Sequence, residues 1–68
     1  MIEIIKKSEE IAIMLESLVE EGAIYDYRLY LRTNERLYAY IKVKEVIAVS
    51  PIESKIHSIF ANCYVEVV

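Results

Sequence analysis

The chain has 68 residues, 56% of them apolar, and eleven acids against eight bases give a net charge of −3. A chain this short makes one domain, residues 1–68, and buries only about 60% of its unfolded surface, so a lone core is marginal. One cysteine, Cys63, excludes an intrachain disulfide, and no ligand cluster suggests a structural metal or a cofactor.

Disulfide and metal being excluded, a partner is the remaining way to stabilise so small a domain. The apolar content exceeds the usual ~45–50%, which a small interior cannot hide, so a homo-oligomer is expected. The acidic total argues against a polyanion binder as a whole. No apolar run approaches the ~20 residues of a membrane span, and Ile2–Ile5 is too short for a signal peptide. The expectation is a cytoplasmic protein with no membrane partner, and a lone thiol fits a reducing compartment. The absence of Gln beside abundant Ile, Glu and Lys leans towards a thermophile source.

In chain order, Met1–Lys6 (MIEIIK) reads as a short first strand. Ser8 then stands as an N-cap, with Glu9 and Glu10 in the first turn, where the helix dipole favours negative charge. Gly22, the one glycine, is the expected C-cap. Between them Ile11, Ala12, Met14, Leu15, Leu18 and Val19 form one apolar stripe at 100° per residue. Ile13 falls on the acidic side, as a scattered exposed residue or a contact for a protein partner.

Ile24–Val43 (IYDYRLYLRTNERLYAYIKV) carries the strongest pattern. Tyr25, Tyr27, Leu29 and Leu31 alternate with Ile24, Asp26, Arg28, Tyr30 and Arg32. Leu37, Ala39, Ile41 and Val43 alternate with Tyr38, Tyr40, Lys42 and Lys44. Both are strands with one buried face. Matching faces sets the register, because a one-residue slip would oppose apolar to polar. The inner pairs are Leu31–Leu37, Leu29–Ala39, Tyr27–Ile41 and Tyr25–Val43. The outer pairs are Tyr30–Tyr38, Arg28–Tyr40 and the opposite charges Asp26–Lys42. A three-residue loop, Thr33–Asn34–Glu35, remains, and Asn34 is the expected left-handed residue. The rival helix over Glu35–Ile47 scatters Val43 and Val46 away from Leu37. A bulge, bend or strand end is expected near Glu45, and Val46–Val49 could prolong the strand.

Ser50-Pro51-Ile52-Glu53 reads as a helix start, with capping-box spacing and Pro51 in the first helical position. The helix runs to about Ile59, with Ile52, Ile56 and Ile59 on one face. Ala61–Val68 closes the chain as a strand, central in a sheet or paired with another chain. The order β-α-β-β-α-β predicts a small ferredoxin-like α+β sandwich, an antiparallel sheet with both helices on one face. An α-β-β core with an added terminal strand is the alternative.

The uncovered sheet face then holds the candidate binding residues Arg28, Tyr30, Arg32, Tyr38, Tyr40 and Lys42. Three uses of these residue types stay open. They can be ordinary cross-strand pairs. They can be a protein interface, where Tyr and Arg are enriched. They can stack unpaired bases while the cations meet phosphate. Ile13, Val65 and Val67 are the candidate partner contacts. His57 and Cys63 come from different elements with no further ligand or orienting group in sight, so neither a metal site nor a nucleophile is read from them. The expected function is therefore a non-enzymatic module that self-associates through its sheet face or edge strands. A nucleic-acid-binding domain and a small-molecule sensor with a pocket at a dimer interface are the alternatives.

YDYRLYL, together with the last strand, is similar to the ligand-sensing domain of Lrp/AsnC-type regulators. That resemblance implies a ferredoxin-like module that dimerises and binds amino acids. The spacing after the first helix departs from that family, and Leu37–Val43 is a strand where the family has its second helix. The GAI…SPIESKI pattern is similar to the C-terminal domain of contractile-tail sheath proteins. No site residues are carried over from either.

Overall fold

Among the described residues three strands and two helices follow one another as α1 (Ile2–Glu21), β1 (Ile24–Leu31), β2 (Leu37–Val43), α2 (Val49–Ile59) and β3 (Cys63–Val67). The computed structural model describes residues 2–44 and 49–67. Expectations that fall on Met1, Glu45, Val46, Ile47, Ala48 and Val68 lie outside the described residues. The sheet order is β1-β2-β3, with β1 antiparallel to β2 and β2 parallel to β3. This corrects the ferredoxin-like expectation, which needs four antiparallel strands. The three-stranded mixed sheet stands closer to the alternative, an α-β-β core extended by α2 and β3.

The first strand is where the expectation failed. Residues from Ile2 onward belong to α1. Ile4 lies seven residues before Ile11, two helical turns along the same stripe, and both are buried with Leu15 and Leu18. No glycine or proline interrupts the run, so nothing ends an element at Lys6. Ser8 is therefore not a cap. Its hydroxyl donates to the Ile5 carbonyl at 2.7 Å, as a serine inside a helix does. Glu10 sits about two turns into the helix and pairs with Lys7 at 3.8 Å. Gly22 does end α1, at φ 80°. Gly22 N–H donates to Val19 O and Ala23 N–H to Leu18 O, the paired bonds of a Schellman motif.

The hairpin register agrees with the pattern from Asp26↔Lys42 to Leu31↔Leu37 and departs from it at one end. Ile24, not Tyr25, pairs with Val43, and the irregularity between Ile24 and Asp26 absorbs one residue. The bulge buries Ile24 to 1% exposure and leaves Tyr25 at 59%. An isoleucine has no hydroxyl to satisfy, so it is the better residue to turn inward where the chain leaves the helix cap. At the tip, Glu35 N–H donates to Arg32 O and Arg32 N–H to Arg36 O. Glu35 takes the left-handed conformation, at φ 59°, rather than Asn34. A type I turn followed by a left-handed residue assigns that role to the third loop position. Asn34 instead accepts from Arg36 N–H through its side-chain oxygen, at 3.1 Å.

β2 spans Leu37–Val43, which excludes a helix over Glu35–Ile47. Val49 opens α2 rather than prolonging a strand, and Ser50 and Pro51 lie inside the first turn. Proline is tolerated there because first-turn N–H groups have no intrahelical partner. The crossover through α2 brings β3 back parallel to β2, from Leu37↔Cys63 to Ile41↔Val67. β3 begins at Cys63, two residues later than expected, and among the described residues it forms one edge of the sheet, not its centre.

Both helices cover the same side. Ile4, Ile11, Leu15 and Leu18 of α1 and Ile52 and Ile56 of α2 share one buried cluster with Leu37, Ala39, Ile41 and Cys63 of the sheet. Tyr27 reaches up from β1 and donates to Glu16 Oε2 of α1 at 2.9 Å. His57 Nε2 of α2 donates to the Cys63 carbonyl at 2.9 Å. The other side of the sheet has no covering element among the described residues.

Candidate functional site

Alternation along the strands decides which side chains meet on the open face. Arg28, Tyr30 and Arg32 follow from β1 and its end, Tyr38, Tyr40 and Lys42 from β2. β3 adds Tyr64 and Glu66, which pair with Tyr38 and Tyr40. Tyr64 is the residue that sequence reading missed. Its phase in the terminal strand was visible, but only parallel pairing with β2 brings it to this face.

Four tyrosines form a connected aromatic cluster. Tyr30 and Tyr40 meet edge to face with centroids 5.7 Å apart. Tyr64 lies 5.9 Å from Tyr38 and 6.5 Å from Tyr40. These are the offset geometries that ring quadrupoles favour. Tyr38 and Tyr40, on the central strand, are half-buried by their neighbours, while Tyr30 and Tyr64 are exposed.

Cations lie over the rings at the hairpin end. The Arg32 guanidinium stands 5.9 Å from the Tyr30 centroid and 5.4 Å from Tyr38, and Arg36 stands 5.9 Å from Tyr38. Each is a cation–π contact that also holds the ring in place. Asn34 Nδ2 donates to the Tyr38 hydroxyl at 3.3 Å. At the opposite end Asp26, Tyr27, Arg28, Tyr40 and Lys42 line a shallow open depression. The Tyr30 phenol and the Asp26 carboxylate both raise the Arg28 guanidinium above its ordinary value. The Tyr64 hydroxyl donates to Glu66 Oε1 at 2.9 Å, and that bond raises its pKa above the usual phenol value. Lys44 sits apart, its ammonium 5.1 Å from the ring of the bulged Tyr25.

The face thus gathers all six candidate binding residues. The three candidate partner contacts are separated from it. Ile13 projects from the outer side of α1 and is 72% exposed. Val65 and Val67 lie on the helix side of β3, half-buried, and Val65 packs against the core. His57 faces the Cys63 carbonyl, not its thiol, and burial pushes that thiol up from its ordinary pKa. Among the described residues no group of three His, Cys, Asp or Glu side chains is placed to hold a metal ion, and no helix is long and apolar enough to cross a membrane.

What fold and face define together is a small α+β domain with one covered and one open sheet face. Compared with protein-family models, with curated proteins and with solved structures, the chain matches none. The two family resemblances of the sequence find no support there.

Proposed function

We propose that the chain is a non-enzymatic interaction module that self-associates, and that the open sheet face is its contact surface. The observation that carries this reading is the connected cluster Tyr30, Tyr38, Tyr40 and Tyr64 with Arg32 and Arg36 over its rings. Tyr and Arg are the side chains that most often dominate interface energy. Rings already fixed by their neighbours lose little entropy on docking. A small core and a high apolar content supply the reason for a partner. Sedimentation velocity over a concentration series tests it. The wild type sediments as more than a monomer at tens of micromolar. Tyr40→Ser weakens association by about 2 kcal/mol, roughly thirtyfold, as expected for a central aromatic anchor. A stable monomer at every concentration overturns the proposal.

The cations beside the rings also favour a second reading, the binding of single-stranded nucleic acid. Tyr30, Tyr38, Tyr40 and Tyr64 would stack bases while Arg28, Arg32 and Lys42 meet phosphates. Fluorescence anisotropy with labelled oligonucleotides separates the two. The nucleic-acid reading requires affinity that falls steeply with salt, and the absence of any such binding removes it.

A further inference from the structure

The two outer surfaces of the molecule are opposite in charge, and both carry apolar side chains. α1 holds six Glu (Glu3, Glu9, Glu10, Glu16, Glu20, Glu21) against Lys6 and Lys7, while Ile24–Lys44 holds five bases against Asp26 and Glu35. The two acids on the open face, Asp26 and Glu66, are outnumbered by Arg28, Arg32, Arg36 and Lys42, and each accepts a hydrogen bond from its own strand. Asp26 lies opposite Lys42 and accepts from Tyr27 N–H at 2.8 Å, and Glu66 accepts from Tyr64. On the helix side, Ile2, Ile5 and Ile13 lie 140–220° around the helix at about 100° per residue. The buried stripe of Ile4, Ile11, Leu15 and Leu18 centres near 30° by the same count, about half a turn away. Those three isoleucines are 73%, 42% and 72% exposed, and Glu9 and Glu20 flank them. The back of the molecule is therefore an acidic helix with an exposed isoleucine row. The front is a basic sheet with an exposed tyrosine cluster.

From this we infer that copies of the chain associate head to tail, the tyrosine-basic sheet face of one docking on the isoleucine-acidic face of α1 of the next. The inference rests on the self-association proposed above and names the partner surface. Charge decides between the pairings. Sheet face on sheet face sets Arg28, Arg32 and Lys42 against their own copies. Helix back on helix back does the same for Glu9 and Glu20. Like charges brought together oppose association, whereas front on back places guanidinium beside carboxylate and ring beside isoleucine. The surfaces also match in length. Twenty residues of helix span about 30 Å, and a strand of eight about 26 Å. A front-to-back contact uses two different surfaces, so each copy keeps one of each free, and the assembly grows past a dimer into a ring or an open filament.

Mixing two variants tests the geometry. Arg28→Glu/Arg32→Glu disables the front, and Ile5→Lys/Ile13→Lys disables the back; all four positions are exposed, and far-UV circular dichroism checks each fold. In sedimentation velocity each variant alone is expected to be a monomer. An equimolar mixture is expected to form a one-to-one dimer that does not extend, since one supplies a back and the other a front. The wild type grows beyond a dimer with concentration and dissociates at high salt, a readout that needs no variant. A mixture that stays monomeric, or a wild type that stops at a dimer, overturns the head-to-tail contact and leaves the proposed function standing. A wild type that is monomeric throughout overturns both.

Discussion

Glu35 occupies the one left-handed position of the hairpin tip without the glycine or asparagine such positions favour. Among the described residues its side chain makes no bond, and its backbone carbonyl, which accepts from Asn62 Nδ2 at 3.4 Å, would survive substitution. Glu35→Gly is therefore expected to raise stability in urea unfolding by about 0.5–1 kcal/mol, the left-handed penalty less the chain entropy of glycine. Gly22→Ala has the opposite sign. An added Cβ would meet Lys44 Nζ at only 3.5 Å, an ordinary contact, so the cost is conformational rather than steric. A loss of about 1 kcal/mol is expected there. Three groups in contact with the fold titrate in the alkaline range with one sign. The bond to Glu16 raises Tyr27, the bond to Glu66 raises Tyr64, and burial raises Cys63. A folded pKa above the unfolded one means that the folded state holds its proton more tightly. Their stabilisation is complete below the unfolded values, about 8.5 for Cys and 10 for Tyr, and is lost as pH rises through the folded ones. Denaturation midpoints measured from pH 8 upward should fall, and Tyr27→Phe should flatten the phenol part of that fall.

At the scale of elements, what was legible followed from uninterrupted periodicity. The hairpin pattern repeats on both faces over seven residues of β2, so its register could be read from Asp26 to Leu37. The end of α1 could be read because Gly22 is the only glycine. Its start could not. Ile2, Ile4 and Ile5 fit a strand and a helix equally over so short a run, and Ser8 followed by two glutamates imitates a cap. The spacing from Ile4 to Ile11 was the available signal, and it requires extending the stripe past the imitation cap. Proline distinguishes the two readings. Glu9→Pro would be harmless just after an N-cap at Ser8. In the continuous helix it removes the bond to the Ile5 carbonyl and crowds that group, at a cost of about 3 kcal/mol or more. Urea unfolding followed by circular dichroism should show that loss; an unchanged midpoint would restore Ser8 as the start of the helix.

The whole molecule depends on a pairing that no local pattern announces. Parallel alignment of β3 with β2 comes from the α2 crossover. It places Tyr64 beside Tyr38, completing the aromatic face that the hairpin alone leaves partial. The face was therefore readable residue by residue on β1 and β2 and unreadable on β3, where five residues suit either edge and either direction. The same architecture leaves a single core under one side of a three-stranded sheet, so little stability is held in reserve. Any contact made only by the folded state then adds to it by mass action, about 2.7 kcal/mol where the partner surface is present at a hundred times its Kd. For a domain of this size each kcal/mol moves the thermal midpoint by roughly 4–8 °C. Scanning calorimetry should accordingly find a midpoint that climbs with protein concentration by several degrees per decade. The climb should shrink when salt screens the exposed charges and begin at roughly thirtyfold higher concentration in Tyr40→Ser. A midpoint independent of concentration would mean that the tyrosine face stabilises nothing beyond its own chain.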